Sequence, residues 1–172
     1  MKTLLLLRHA KSSRDDPALD DFERPLTSRG QDAALRMGRY LRDKVGKPDL
    51  VLCSAAVRTR QTLDRIIEAF GSGIEMRALK GLYLAEPNRL LAAVRRAPDD
   101  VRRLLLVGHN PGLGTLATQL CARGDAALLR RMAEKFPTGA LAEIRFDIEH
   151  WADAAPEHGR LRDFVVPRDL KS

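Results

Sequence analysis

Apolar residues along this chain follow two alternating rhythms. Leu4–Leu7, Leu50–Cys53 and Leu104–Val107 are unbroken apolar runs bounded by polar residues. A run without polar alternation predicts a strand covered on both faces, as in a parallel sheet with helices on either side. Between these runs, apolar residues recur at helical spacing. Ala34, Met37, Leu41 and Val45 predict a helix within 26–45, opened by a capping box of Ser28 with Gln31 and stopped by Gly46 and Pro48. Leu63, Ile66, Ile67 and Phe70 line a second helix, with Ser54 available to cap it and Gly71 and Gly73 to end it. A third helix begins at Pro87 and runs to about Ala97. A fourth opens at Asn110-Pro111, with proline at its first position and Leu113, Leu116, Ala117 and Leu120 on one face. A fifth covers 126–135. "IEMRAL" predicts a short third strand, and "ALAEIRFDI" and "LRDFVV" two closing strands, antiparallel at one end of the sheet and joined by a polar loop around Pro156. This βαβα order predicts an α/β three-layer sandwich with a mostly parallel central sheet flanked by helices. With no boundary or repeat in view, residues 1–172 are expected to form one domain.

Hydrophobic residues make up 44% of the 172, enough for a core. Cys53 falls in a strand pattern and Cys121 in a helix pattern, which predicts core thiols and neither a disulfide framework nor a metal site. The apolar start, Leu4–Leu7, is cut off by Arg8, His9 and Lys11, too early for a signal peptide or a membrane span. A cytoplasmic location and no membrane contact are therefore expected. The net charge of +7 raises nucleic-acid binding. However, pairs such as Arg95-Arg96, Arg102-Arg103 and Arg130-Arg131 are scattered, and aromatics are only 5%, so bases have little to stack on. No nucleic-acid partner is expected.

Three strand ends carry the chemistry. The first delivers Arg8-His9. The second leads into "CSAAVRTRQT", with Arg58 in the first turn of its helix. The fourth delivers "VGHNPG", with His109 just before a helix amino terminus. Parallel strands bring all three to one edge of the sheet, where open α/β sheets place ligand crevices. Two guanidiniums, two imidazoles and two helix amino termini make a pocket for a tetrahedral anion.

The motifs "LRHAKSS", "RPLTSRG", "CSAAVRTRQT" and "VGHNPG", in this order, resemble the histidine phosphatase superfamily, with its phosphoglycerate-mutase-like fold. The short length and the motif wording resemble its SixA-type phosphohistidine phosphatase branch. The resemblance covers the chain to about Leu141. It implies that His9 is the nucleophile, forming a phosphohistidine intermediate, and that Arg8, Arg58 and His109 complete the phosphate clamp. No cofactor or metal is implied, because the arginines supply the positive charge. Arg24 is expected to tie the loop over the pocket, and Lys11, Ser12 and Thr138 are candidates for its rim. Asp15 falls where the mutase branch has a phosphate-contacting asparagine; a carboxylate there would repel phosphate.

The mutase branch also carries Leu-x-Glu after its third strand, where this chain reads Leu79-Lys80-Gly81. Without that general acid, an imidazole leaving group is easier to expel than an alkoxide, which depends far more on protonation. The expected activity is therefore hydrolysis of phosphohistidine on a partner protein. The alternative is a small-molecule phosphomonoesterase using the same nucleophile, with Glu86 as acid and a small phosphate ester as substrate. A catalytically inactive phosphoprotein- or nucleic-acid-binding module ranks third.

Overall fold

The computed structural model describes residues 1–71 and 73–171. Its elements, in chain order, are β1 Lys2–Arg8, α1 Ser28–Tyr40, β2 Leu50–Ser54, α2 Val57–Phe70, β3 Met76–Leu79, α3 Pro87–Arg95, β4 Arg103–Gly108, α4 Gly112–Leu120, β5 Cys121–Gly124, α5 Ala126–Glu134, β6 Leu141–Phe146 and β7 Gly159–Val165. The seven strands form one sheet in the order β3-β2-β4-β1-β6-β7-β5. Strands β1 to β4 pair in parallel, and β5 pairs in parallel with β7. Strand β6 runs antiparallel to both β1 and β7. The sheet is thus mixed but mostly parallel, flanked by helices as expected.

The apolar run of β1 explains its central place. Leu5 and Leu7 pack with Met37, Leu41, Leu63 and Ile66 of the α1–α2 layer. Leu4 and Leu6 face the opposite cluster, with Leu90, Val94, Leu113 and Leu116 of α3 and α4. All four leucines are essentially fully buried. A strand with no polar face can be stable only between two apolar layers.

Four local expectations change. The cap of α1 is Thr27, whose hydroxyl accepts the Gly30 amide at 3.0 Å, and not Ser28. Gly30 fits there because a Cβ would meet the Lys11 carbonyl oxygen at 2.1 Å. Pro111 stands at the N-cap of α4, not its first position, and Asn110 Oδ1 accepts the Gly114 amide at 3.0 Å. Cys121 starts an edge strand, β5, instead of continuing a helix. Ser54 does not cap α2, whose N-cap is Ala56; its hydroxyl turns inward to the site below. Both cysteines are free, Cys53 buried and Cys121 partly so. Among the described residues, no helix is long and apolar enough to cross a membrane.

Candidate active site

Parallel pairing of β1 with β4, in register from Thr3↔Arg103 to Arg8↔Gly108, places their carboxyl ends side by side. His9 and His109 follow these ends. Their ring centroids lie 5.3 Å apart, tilted by 56°. Arg58, in the first turn of α2, and Arg8, closing β1, act electrostatically on both rings. His9, Arg58 and His109 are nearly fully buried, at 6%, 2% and 2% exposure. The four predicted residues therefore meet at one edge of the sheet.

His9 is held in a defined protonation state. Its Nδ1–H donates to the Ala10 carbonyl at 2.7 Å, which leaves the Nε2 lone pair free. Burial, and then the positive charges of Arg58, Arg8 and Arg24, push its pKa down to about 4 against the opposing Ala10 bond. Burial, then His9 and Arg58, lower His109 to about 3. Both imidazoles are neutral near pH 7.

Ser54 sets the tautomer of His109. Its Oγ lies 2.7 Å from His109 Nε2 and accepts the Ala56 amide at 3.4 Å. Among the described residues the hydroxyl has no other acceptor, so it donates to Nε2 and the ring proton sits on Nδ1. That Nδ1 is buried without a protein partner among the described residues, as are Nε of Arg8 and Nε of Arg58. Two guanidiniums and a second neutral imidazole gathered around a free imidazole lone pair suit a tetrahedral oxyanion. Ser54→Ala is expected to lower kcat about tenfold or more, since the Nδ1–H tautomer loses its donor, with little change in thermal stability. Steady-state kinetics, with ring-nitrogen NMR of His109 in both proteins, checks this.

The carboxylate that organises the pocket is Asp21, in the segment between β1 and α1 that carries no hydrophobic periodicity. Arg58 Nη2 donates to Asp21 Oδ2 at 2.9 Å and Nη1 to the Asp21 carbonyl at 2.6 Å. Arg24 Nε donates to Asp21 Oδ1 at 3.0 Å, and Tyr83 donates to Oδ2. These bonds, Tyr83's first, hold the Asp21 carboxyl well below the usual carboxylate range. Arg24 also reaches the Ser12 hydroxyl at 2.8 Å and the Ser13 carbonyl at 3.2 Å, so it ties the loop as expected. Asp15 is exposed on that loop, its amide bonded to Ser13 Oγ. Tyr83 stacks edge-on against His109, with centroids 5.4 Å apart. Glu86 is exposed at the N-cap of α3 and lines a shallow cleft with Lys80, Tyr83 and Arg89. Behind the site, Arg8 Nη1 and Asn110 Nδ2 both donate to the Phe136 carbonyl, at 3.0 and 2.8 Å. Among the described residues, no group of three or more His, Cys, Asp or Glu is placed to hold a metal ion.

The lowered histidine pKa values imply acid sensitivity. Below about 6.5, the unfolded chain protonates both imidazoles, while the folded chain keeps them neutral down to about 4 and 3. Stability that is complete above pH 6.5 therefore falls as pH drops through this window. Urea unfolding from about pH 7 to about pH 4.5 should show this decline, and His9→Asn/His109→Gln should flatten it. Equal slopes in the two proteins would contradict it.

Known proteins resemble this chain in sequence and in fold. The model of the histidine phosphatase superfamily (branch 1) matches residues 4–83. An uncharacterised protein of Mycobacterium tuberculosis is 40% identical over 164 residues, covering 94% of this chain and 100% of its own length. The structure of a candidate phosphohistidine phosphatase SixA from Nakamurella multipartitia superposes with a TM-score of 0.85 at 30% identity, over 96% of each chain. The phosphohistidine phosphatase SixA of Escherichia coli is 27% identical over 146 residues, 84% of this chain and 85% of that protein.

Proposed function

The chain belongs to the histidine phosphatase superfamily, in its SixA-type branch, and from that premise we propose that it hydrolyses protein phosphohistidine through a covalent intermediate on His9. The observation that carries this reading is the state of His9: neutral, with Nδ1–H committed to Ala10 and Nε2 free, under the positive charge of Arg58 and Arg8. In the first step Nε2 attacks phosphorus, a bond forms from His9 to phosphorus, and the P–N bond of the substrate breaks. The departing imidazole is protonated by solvent on its other ring nitrogen and leaves as neutral imidazole, so no acid of the enzyme is needed. In the second step water attacks the phosphorus of phospho-His9, releasing phosphate and restoring the free imidazole. Arg8, Arg58 and His109 form the clamp for the phosphoryl oxygens, and charge neutralisation of this kind is the main demand of phosphoryl transfer.

The P–N preference is supported by the carboxyl groups near the pocket. Asp21 is bonded to Arg58, Arg24 and Tyr83 and stays ionised, so it has no proton to give. One observation favours a second reading, a small-molecule phosphomonoesterase. Glu86 lines the same cleft as Tyr83, whose ring packs on His109, so it is the exposed carboxyl group on that side of the site. Rates on free phosphohistidine, p-nitrophenyl phosphate and glucose 6-phosphate, with chelator present, separate the two. The expected order is phosphohistidine and the aryl ester well ahead of the sugar phosphate, and a sugar phosphate as the best substrate would overturn the reading.

A further inference from the structure

Beside the site lies a groove of about 810 Å³ whose walls are strongly basic. Lys11, Arg29, Arg36, Arg131, Lys135 and Arg168 line it, against the carboxylates of Asp32 and Glu134. Arg131 is paired with Asp169 at 2.5 Å, and Arg36 donates to the Pro167 and Leu170 carbonyls, which leaves its charge in place. Among the described residues, Lys11, Arg29, Lys135 and Arg168 enter no side-chain hydrogen bond or close ion pair. All four are exposed at the chain surface, and the groove floor of Phe164 and Val166 lies buried.

Both walls of the groove spring from backbone attached to His9. On one side, the Lys11 carbonyl accepts the Thr27 amide at 2.9 Å and packs against Gly30, so the first turn of α1, with Arg29, is fixed two residues beyond His9. On the other, the Gly139 amide donates to the carbonyls of Arg8 at 3.1 Å and His9 at 2.9 Å. That bond anchors the strap 135–139, whose Lys135, Pro137 and Thr138 face the groove. The cations therefore flank the phosphoryl pocket at a fixed distance.

We infer that this groove is the docking surface for the protein that carries the phosphohistidine, and that the partner presents acidic side chains around it. This rests on the phosphohistidine reading above. The clamp of Arg8, Arg58 and His109 serves the phosphoryl group; the unpaired cations outside it are open to a second source of negative charge. An acidic flank supplies it, and an extended chain rising about 3.3 Å per residue reaches the groove within a few residues of the phosphohistidine. Rim charges of this kind act mainly on association rate and salt dependence. A nucleic acid fits less well, because the aromatic ring in the groove, Phe164, is buried and offers no stacking face.

The test uses the full chain and two chemically phosphorylated peptides of equal length, with one phosphohistidine flanked by glutamates or by lysines, alongside free phosphohistidine. At low ionic strength, kcat/KM should favour the glutamate peptide over the lysine peptide by about tenfold or more, and added salt should erase the difference. Arg29→Glu/Lys135→Glu/Arg168→Glu should abolish or invert that preference while changing the rate on free phosphohistidine less than about twofold. Turnover of all three substrates with no charge preference would overturn the docking surface and leave the phosphatase reading standing. No turnover of free phosphohistidine would overturn the phosphatase reading and the docking proposal with it. A labelled single-stranded oligonucleotide that bound more tightly than the glutamate peptide, and lost binding in the triple variant, would assign the groove to nucleic acid and overturn the proposal.

Discussion

His9→Ala is expected to lower kcat/KM on every phosphorylated substrate by roughly 10⁴-fold or more, with the fold intact. The magnitude follows from what is lost. Alanine removes the attacking atom itself, and water held in the same place is a far weaker nucleophile than a neutral imidazole with a free Nε2. The fold should tolerate the change because, among the described residues, the His9 side chain hydrogen-bonds only to the neighbouring Ala10 carbonyl. Removing an imidazole whose pKa burial has lowered to about 4 also removes a group that costs stability on acidification. Arg8, Arg58 and His109 remain, so vanadate or phosphate should still protect the variant against heat. Circular dichroism, thermal shifts with and without vanadate, and kcat/KM together separate a lost nucleophile from a lost fold. Near-normal turnover by His9→Ala would rule out the covalent step.

The second large effect is in the leaving group. With no positioned proton donor, log kcat/KM for phosphate esters should fall steeply as the leaving-group pKa rises, and alkyl esters should lag aryl esters by about 10²–10⁴-fold, the usual worth of general acid catalysis. Glu86→Gln should leave both the slope and the phosphohistidine rate nearly unchanged. This carboxyl is the one to test because Asp21 is already ionised by its bonds to Tyr83, Arg58 and Arg24. Glu86 stands in solvent at the start of α3. A flat line for the wild type that steepens in Glu86→Gln would promote the phosphomonoesterase reading.

The grouping of Arg8, His9, Arg58 and His109 was legible in the sequence for a physical reason. Each follows or sits just beyond an apolar run that can only be a buried strand, and parallel strands end on one edge. What was not legible depends on contacts between distant segments. Ser54 looks like a helix cap in isolation; its burial and its bond to His109, 55 residues away, follow from the pairing of β2 with β4. Asp21 belongs to a stretch with no periodicity, and its role arises only once α2 brings Arg58 against it. The DFERPL spacing, with Asp21 three residues before Arg24, was the available hint. Strand β5 is four residues long and exists through pairing with β7, so its local helix-like pattern misleads.

The most direct test of the central claim is to trap the intermediate. The enzyme is mixed with a peptide carrying ³²P-phosphohistidine, quenched in alkali within a single turnover, and digested for label mapping. The account predicts label on the peptide containing His9, stable in alkali and lost in acid, forming and decaying at rates consistent with turnover. Phosphate released at the full rate with no label on His9 at any time would contradict it.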